Sequence, residues 1–486
     1  MKAKGKEGSA VEIRCGEELL PSGDRVMHQT RSGCLYQDKW ILSGKEDRFE
    51  TFDYKGFRYV EVIEEDSGEE AVMPDTFHAV VRHYPFPDDN CLFRCDDERL
   101  NRIFDICKNG VKFGSQEHYV DCPTREKGQY LGDNTVIGHS HMLLTGDGRL
   151  YRKAIEQFAR SADICDGLMA VVPGHLMQEI ADYSLQWPMQ VMEYYRFTGD
   201  LGFVEKMHPY AERLLQHFQK HERSDGLIHL VTDKWNLVDW PRELRDGYDF
   251  PLSKPIGPGC HNVLNAFYIG CYQTVMQMRQ LLGVHKENRL PLLKESYMQA
   301  FYDEEKRLFR DAEGSSHHAL HSNVLPLLFQ LAPDEAVPEI VRLIKEKRFS
   351  CGVYFSYFVL KALAQAGEHA LIYELISSDE KRSWGNMLKE GATTCFEAWG
   401  KDQKWNTSLC HPWASAPIPI LIEEIVGLKP AEPGWKTVSF QPRIPKTWSF
   451  FKLQIQVPAG NIRIEYKDGE WKEHFPAGVK TVRGNA

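Results

Sequence analysis

The chain of 486 residues is 42% apolar and 12% aromatic, enough for a large buried core, which excludes a disordered chain and a single small domain. Lys and Arg number 59 against 69 Asp and Glu, a net charge of −10 with both signs scattered, so neither a nucleic-acid nor a membrane partner is expected. No apolar run approaches the ~20 residues that cross a bilayer, and the charged start Met1-Lys2-Ala3-Lys4 lacks a signal peptide's apolar stretch; a cytoplasmic protein is expected.

Residues 1–92 read as a β-domain: Phe57-Arg58-Tyr59-Val60-Glu61-Val62-Ile63 is rich in aromatic and β-branched residues, follows a turn at Gly56, and ends at Asp66-Ser67-Gly68. Over 93–428 the period changes. Leu100, Ile103, Phe104, Cys107 and Val111 make the stripe of an amphipathic helix, preceded by an acidic run at its favourable end. Met207, Tyr210, Leu214, Leu215 and Phe218 make another, as do Val337, Ile340, Val341 and Ile344. Leu144-Thr145-Gly146-Asp147 and Phe197-Thr198-Gly199-Asp200 each close one helical segment and open the next, 53 residues apart, the length of one antiparallel helix pair with its loops. Five or six such pairs fit the region and favour a closed toroid of paired helices. From 429 to 486 strands return: Leu453, Ile455 and Val457 alternate with polar residues, Pro458-Ala459-Gly460 turns, Ile462, Ile464 and Tyr466 alternate again, and Lys467-Asp468-Gly469 turns before Trp471.

The densest chemistry lies in the loop His118 to Asp133, where three carboxylates (Asp121, Glu126, Asp133), Arg125, Tyr119 and Tyr130 fall among one Pro and two Gly. A solvated surface loop is the plain alternative. Downstream, Glu397 stands alone among small, apolar and aromatic residues in Gly391 to Gly400, where desolvation would raise its pKa toward acid–base work; a cap on a helix's first turn is the other reading. Trp residues sit beside carboxylates in Asp182 with Trp187, in Trp235 with Asp239 and Trp240, and in Trp399, Trp405 and Trp413. Aromatic faces stack on sugar rings while carboxylates accept hydroxyl hydrogen bonds, although any one Trp could be packing.

Twelve Cys are spread singly and read as free thiols. His139 and His141 cannot share a helix face; His317 and His321 could, but no third ligand follows, so no metal is expected. No Walker loop, GxGxxG or GxSxG occurs, and no cofactor is expected. Two separated carboxylates facing an aromatic cleft suggest glycoside hydrolysis.

Asp121-Cys122-Pro123-Thr124-Arg125-Glu126 followed by Gly132-Asp133 resembles the signature of the bacterial α-L-rhamnosidases, glycoside hydrolase family 78. Thr393-Thr394-Cys395-Phe396-Glu397 resembles that family's Thr-Thr-x-Trp-Glu segment, Ser408-Leu409-Cys410-His411 its following Ser-x-x-His, and Asp182-Tyr183 with Trp187 and Asp239-Trp240 its aromatic pocket segments. Gly434-Trp435-Lys436 with Gln441-Pro442 resembles the entrance to its C-terminal domain. The resemblance implies an (α/α)6 barrel flanked by an N-terminal β-domain and a C-terminal antiparallel β-sandwich. It implies inverting release of terminal α-L-rhamnose with Glu126 as general acid and Glu397 as general base, the carboxyls ~6.5 to 9.5 Å apart. Asp121, Arg125, Tyr130, Asp133, Asp182, Trp187, Asp239, Trp240, Trp399 and His411 then hold the sugar, and Asp133 is the rival acid. The loop is one residue shorter than the family's commonest form, and Tyr130 stands where Trp is usual. Typical members carry further upstream β-domains, so a short relative, a fragment and a truncated gene are the readings left open. The partner is a small-molecule or oligosaccharide substrate, and a homo-oligomer is open. A six-hairpin hydrolase for another deoxy or uronic sugar, or a non-catalytic rhamnose-binding protein, are the alternatives.

Overall fold

A computed structural model describes residues 1–65, 75, 77–174, 178–253 and 256–483. The N-terminal strands are β1 (Lys2–Lys4), β2 (Ala10–Gly16), β3 (Gln37–Ile41), β4 (Glu46–Arg48) and β5 (Tyr59–Glu65). β2 is central in an antiparallel sheet of order β3-β2-β5, and β1 pairs with β4. The strand expected over 57–63 starts two residues later, and its expected end at Asp66-Ser67-Gly68 lies outside the described residues. Val11, Ile13, Cys15, Tyr36, Trp40 and Leu42 form this sheet's own small core.

β6 (Leu92–Cys95) leads into the helices: α1 (Glu98–Gly114), α2 (Leu131–Thr145), α3 (Arg149–Arg160), α4 (Ala181–Ser184), α5 (Trp187–Thr198), α6 (Leu201–Gln219), α7 (Asn262–Leu281) and α8 (Leu290–Phe301). A minimal hairpin of β7 (Tyr302–Asp303) and β8 (Leu308–Phe309) interrupts them. They continue as α9 (Leu320–Leu328), α10 (Val337–Lys347), α11 (Ser356–Gln365), α12 (His369–Ser377), α13 (Trp384–Lys389) and α14 (Pro417–Ile420). All three expected stripes lie on helices, in α1, α6 and α10, and their apolar residues face one continuous core. First and last helices meet, because α1 packs on α2, α13 and α14.

The repeated Thr-Gly-Asp string is a repeated corner. Thr145 and Thr198 each donate their hydroxyl four residues back, to His141 O at 2.7 Å and Tyr194 O at 2.8 Å, and each accepts the N–H of the following Asp. Gly146 and Gly199 then take φ of 72° and 74°, the left-handed helix end that a side chain resists, and Asp200 caps α6 through the Phe203 N–H.

The chain closes with β9 (Leu428–Pro430), β10 (Thr437–Phe440), β11 (Phe450–Val457), β12 (Gly460–Lys467), β13 (Glu470–His474) and β14 (Lys480–Arg483). The expected meander is β11-β12-β13, and its fourth strand is β6, so Leu92–Cys95 joins the C-terminal sheet from more than 350 residues away. β14-β10-β9 forms a second sheet. All twelve cysteines are free. No helix of the described residues is long and apolar enough to cross a membrane.

Candidate active site

The loop between α1 and α2 is closed by Asp121. Its backbone N–H donates to Gly128 O at 2.8 Å, and its carboxylate accepts the Gly128 N–H at 2.9 Å. This folds 121–128 into a tight bend that drives Arg125 and Glu126 into a cavity of about 170 Å³. Arg125 binds two carboxylates with separate arms, Glu126 through Nη1 and Glu397 through Nη2, the latter at 2.6 Å. The Tyr130 hydroxyl donates to the other Glu126 oxygen at 2.5 Å. One turn into α2, Asp133 reaches His411 Nε2 at 3.3 Å. Gly132 before it allows the Tyr183 ring within 2.3 Å of where a Cβ would stand.

Glu397 arrives on a different segment. Its N–H donates to Ser408 O at 3.0 Å, and its carboxylate accepts the Ser408 N–H at 2.9 Å and the Lys404 ammonium. The hairpin 397–408 thus clamps its own carboxylate in place. Burial would push Glu397 up, but His411, Arg125 and Lys404 outweigh it and hold it at about 2. Its pKa therefore falls, opposite to the rise expected from an isolated carboxylate among apolar residues.

The other carboxyls behave in the opposite way. Burial, with repulsion from Glu126, lifts Asp121 to about 7; burial, with repulsion from Asp121, lifts Asp133 well above the carboxylate range. Burial drops His411 to about 3, so at neutral pH this imidazole is uncharged, while burial shifts Asp133 toward its protonated form. The cavity therefore sets one carboxylate held firmly ionised, Glu397, beside two, Asp121 and Asp133, that burial shifts toward the protonated form.

The far wall is set by Asp182, whose two oxygens accept the Leu237 and Val238 N–H groups at 3.0 Å each. That pins the loop presenting Trp235 and Trp240, whose rings meet edge to face at 5.8 Å. Asp239 lies behind Trp240, fully buried, bound to His321 Nε2 at 2.7 Å and to the Gly352 N–H at 2.6 Å.

Of the expected site residues, Asp121, Arg125, Glu126, Tyr130, Asp133, Trp240, Glu397 and His411 line the cavity together. Four do not. Trp187 is fully buried with its N–H on Ile155 O at 3.1 Å, and Trp399 is fully buried, stacked on Phe349 at 4.9 Å with its N–H on Cys351 O. Both are core residues, corrected from sugar contacts, because their one polar atom is already satisfied inside the helical wall. Asp182 and Asp239 are likewise corrected to loop supports with their oxygens spent on backbone and imidazole. The structure adds Gln178, Ile180, Tyr183, Trp235, Leu237, Lys404, Asn406 and Trp413 to the wall. Of these, Trp235 and Trp413 were visible as aromatics beside carboxylates and Tyr183 within the Asp182-Tyr183 segment; Lys404 and Asn406 carried no readable signal. Glu17, from the end of β2's sheet, is also near: it accepts the Leu409 N–H at 3.1 Å, next to the Ser408 that clamps Glu397.

The family model described as the bacterial alpha-L-rhamnosidase 6 hairpin glycosidase domain matches residues 88–425. The chain belongs to this family. Models of its concanavalin-like domain and its C-terminal domain match 1–83 and 427–481. An alpha-L-rhamnosidase of Formosa agariphila is 25% identical over 471 residues, covering 92% of this chain and 49% of that protein. The chain spans about half the length of the curated relatives it matches. Among solved structures, a family 78 rhamnosidase of Bacillus sp. GL1 superposes with a TM-score of 0.83 at 21% identity, over 99% of this chain and 52% of that one. A rhamnosidase from Klebsiella oxytoca, solved with rhamnose bound, superposes with a TM-score of 0.67 at 18% identity, over 86% of this chain and 83% of that one. With 39% helix and 17% strand, the chain is a six-hairpin helical domain with flanking β-domains.

Proposed function

We propose that the chain is an inverting glycoside hydrolase that releases terminal α-L-rhamnose, with Glu126 as general acid and Glu397 as general base, in a helical domain closed as an (α/α)6 barrel. The observation that carries this reading is the pair of carboxylates on opposite arms of the Arg125 guanidinium inside a small aromatic cavity. A volume of about 170 Å³ suits one sugar ring, since a cavity of about 150 Å³ takes up a molecule the size of benzene. That favours cleavage at a chain end. Inversion further requires the two carboxyls to stand ~6.5 to 9.5 Å apart, with room for a water between the base and the anomeric carbon.

The assignment of roles follows from exposure and charge. Glu126 keeps 25% of its side chain exposed, whereas Glu397 and Asp133 keep 3% each, so Glu126 stands at the mouth where a leaving group departs. From there Glu126 delivers a proton to the glycosidic oxygen as the leaving group departs. Glu397, held ionised at about 2, takes the proton of the attacking water. Asp133, its acidity weakened by burial, and neutral His411, deeper in the cavity, bind the sugar hydroxyls. Ile180 and Leu237 supply an apolar side suited to the 6-methyl group of a deoxy sugar.

The test is aryl release from p-nitrophenyl α-L-rhamnoside, followed by NMR of the first-formed anomer. β-L-Rhamnose as the initial product supports the reading. An initial α anomer overturns inversion, and calorimetric rhamnose binding without turnover overturns the enzyme.

A further inference from the structure

Three clusters of metal-ligating side chains occur among the described residues. Asp121, Cys122 and His411 belong to the cavity above. His139, Glu193 and Glu423 are already neutralised by Arg196 and Lys361. The third, His217, His221 and Asp233, serves no step of the proposed reaction.

His217 closes the last turn of α6, and His221 follows four residues on, so their rings come onto one side, 5.8 Å apart. The chain then reverses, pairing Glu222 with Ile228, and returns Asp233 to face both rings. His217 Nε2 lies 3.3 Å from one Asp233 oxygen and His221 Nε2 3.6 Å from the other, and the three donors fall within 4.8 Å of one another. Bonds of about 2.0 to 2.2 Å to a tetrahedral ion put its ligand atoms about 3.3 to 3.6 Å apart, the range of the two His–Asp separations. Neither buried ring nitrogen of His217 makes a well-formed hydrogen bond, and a coordinated cation would remove that cost at the nitrogen it binds. Asp233 is 44% exposed, which leaves a path for the ion and for a water in the fourth position.

We propose that His217, His221 and Asp233 form a binding site for a zinc-class divalent cation that braces the loop carrying Trp235. Two imidazoles and one carboxylate suit zinc and its transition-metal neighbours and disfavour magnesium and calcium, which want oxygen ligands. The coupling to the substrate cavity is short. Asp233 is two residues before Trp235, whose N–H and carbonyl are fixed to Glu179 O and the Ala181 N–H at 2.8 Å each. Lys234 between them points to Glu179 and Cys165; its ammonium, 4.0 Å from Asp233, is already engaged by the Glu179 carboxylate. This site contrasts with the sequence reading, which found no metal set because it paired His317 with His321. Those two are occupied by Asp311 and Asp239.

The experiment is calorimetric titration of the chelator-stripped, intact chain with zinc chloride, alongside its melting temperature. One zinc per chain, a raised melting temperature and no comparable binding of magnesium are expected. His217→Asn and His221→Gln should each weaken binding at least ~10-fold, the scale on which even outer-shell partners act. Circular dichroism verifies that the variants fold. Cobalt in the same site should show no thiolate charge-transfer band, which separates it from binding at the free cysteines. Unchanged zinc affinity in both folded variants, a thiolate band, or no binding by the parent at a hundred micromolar would each overturn the proposal.

Discussion

Glu397→Gln separates catalysis from structure at the point where the two meet. The carboxylate has three partners, Arg125 at 2.6 Å, the Lys404 ammonium and the Ser408 N–H at 2.9 Å. Gln keeps the shape and can accept from Ser408, but it loses the charge. Moving a carboxyl from 4.5 to about 2 corresponds to a stabilisation of roughly 3 kcal/mol at neutral pH, at 1.36 kcal/mol per unit. The pKa is depressed on folding, so this stability is present above about 4.5 and is lost as pH falls toward 2. The variant should therefore melt lower than the parent at pH 7, with the gap closing in acid. Independently, loss of the general base should lower kcat by at least ~10², or about 2.7 kcal/mol of transition-state energy. The assay is initial-rate hydrolysis of the aryl rhamnoside at a temperature where both proteins are folded, giving kcat and KM separately. A variant that melts lower yet keeps kcat within tenfold of the parent would refute the assignment and reduce Glu397 to an anchor for Arg125.

Arg125→Lys should lose at least ~10² in kcat/KM with little change in melting temperature, because a single ammonium cannot bind both carboxylates with the fixed fork of a guanidinium; parental activity would show that the fork does not set their spacing. Trp240→Ala should raise KM about tenfold or more with a modest stability loss, whereas Trp399→Ala should cost about 3 to 5 kcal/mol in urea unfolding with kinetic constants per folded molecule unchanged, reversing the equivalence that both Trp residues had in the sequence. Glu17→Gln should stabilise the protein at alkaline pH. Burial lifts Glu17 to about 8, so its folded pKa exceeds the unfolded value, and the parent loses stability as pH rises from about 4.5 through 8. Gln still accepts the Leu409 N–H, so melting curves should coincide near pH 4.5 and diverge by several degrees at pH 8.5, with the variant higher. Coincidence at both pH values would show that Glu17 ionises freely.

What the sequence disclosed was whatever depends on near neighbours along the chain. The α1 stripe, the β11-β12-β13 meander and the Thr-Gly-Asp corners are local, set by periodicity and by hydrogen bonds spanning four residues or fewer, and all three are present. The His118 to Asp133 loop was legible because charge, Pro and Gly are concentrated there, and most of its reactive groups do face the cavity. The side of a helix on which a Trp lies was not legible, since the helical domain buries aromatics both toward the cavity and away from it. Trp187 and Trp240 look alike until Ile155 O is seen to take the N–H of the first.

Electrostatics failed for a related reason. Glu397 was read from its apolar sequence neighbours, but the groups that fix its ionisation are Arg125, 272 positions away, and Lys404 and His411 across a hairpin. Sequence neighbours describe the desolvation that a buried acid suffers; charges brought in by the fold decide its sign. The same argument applies to Asp121 and Asp133, whose upward shifts come from burial and from a neighbouring carboxylate, Glu126 for Asp121 and Asp121 for Asp133, a situation that a solvated surface loop would never create. A site that holds one acid's pKa down and pushes another's up therefore requires α1 to be packed against α13 and α14 before either residue acquires its role.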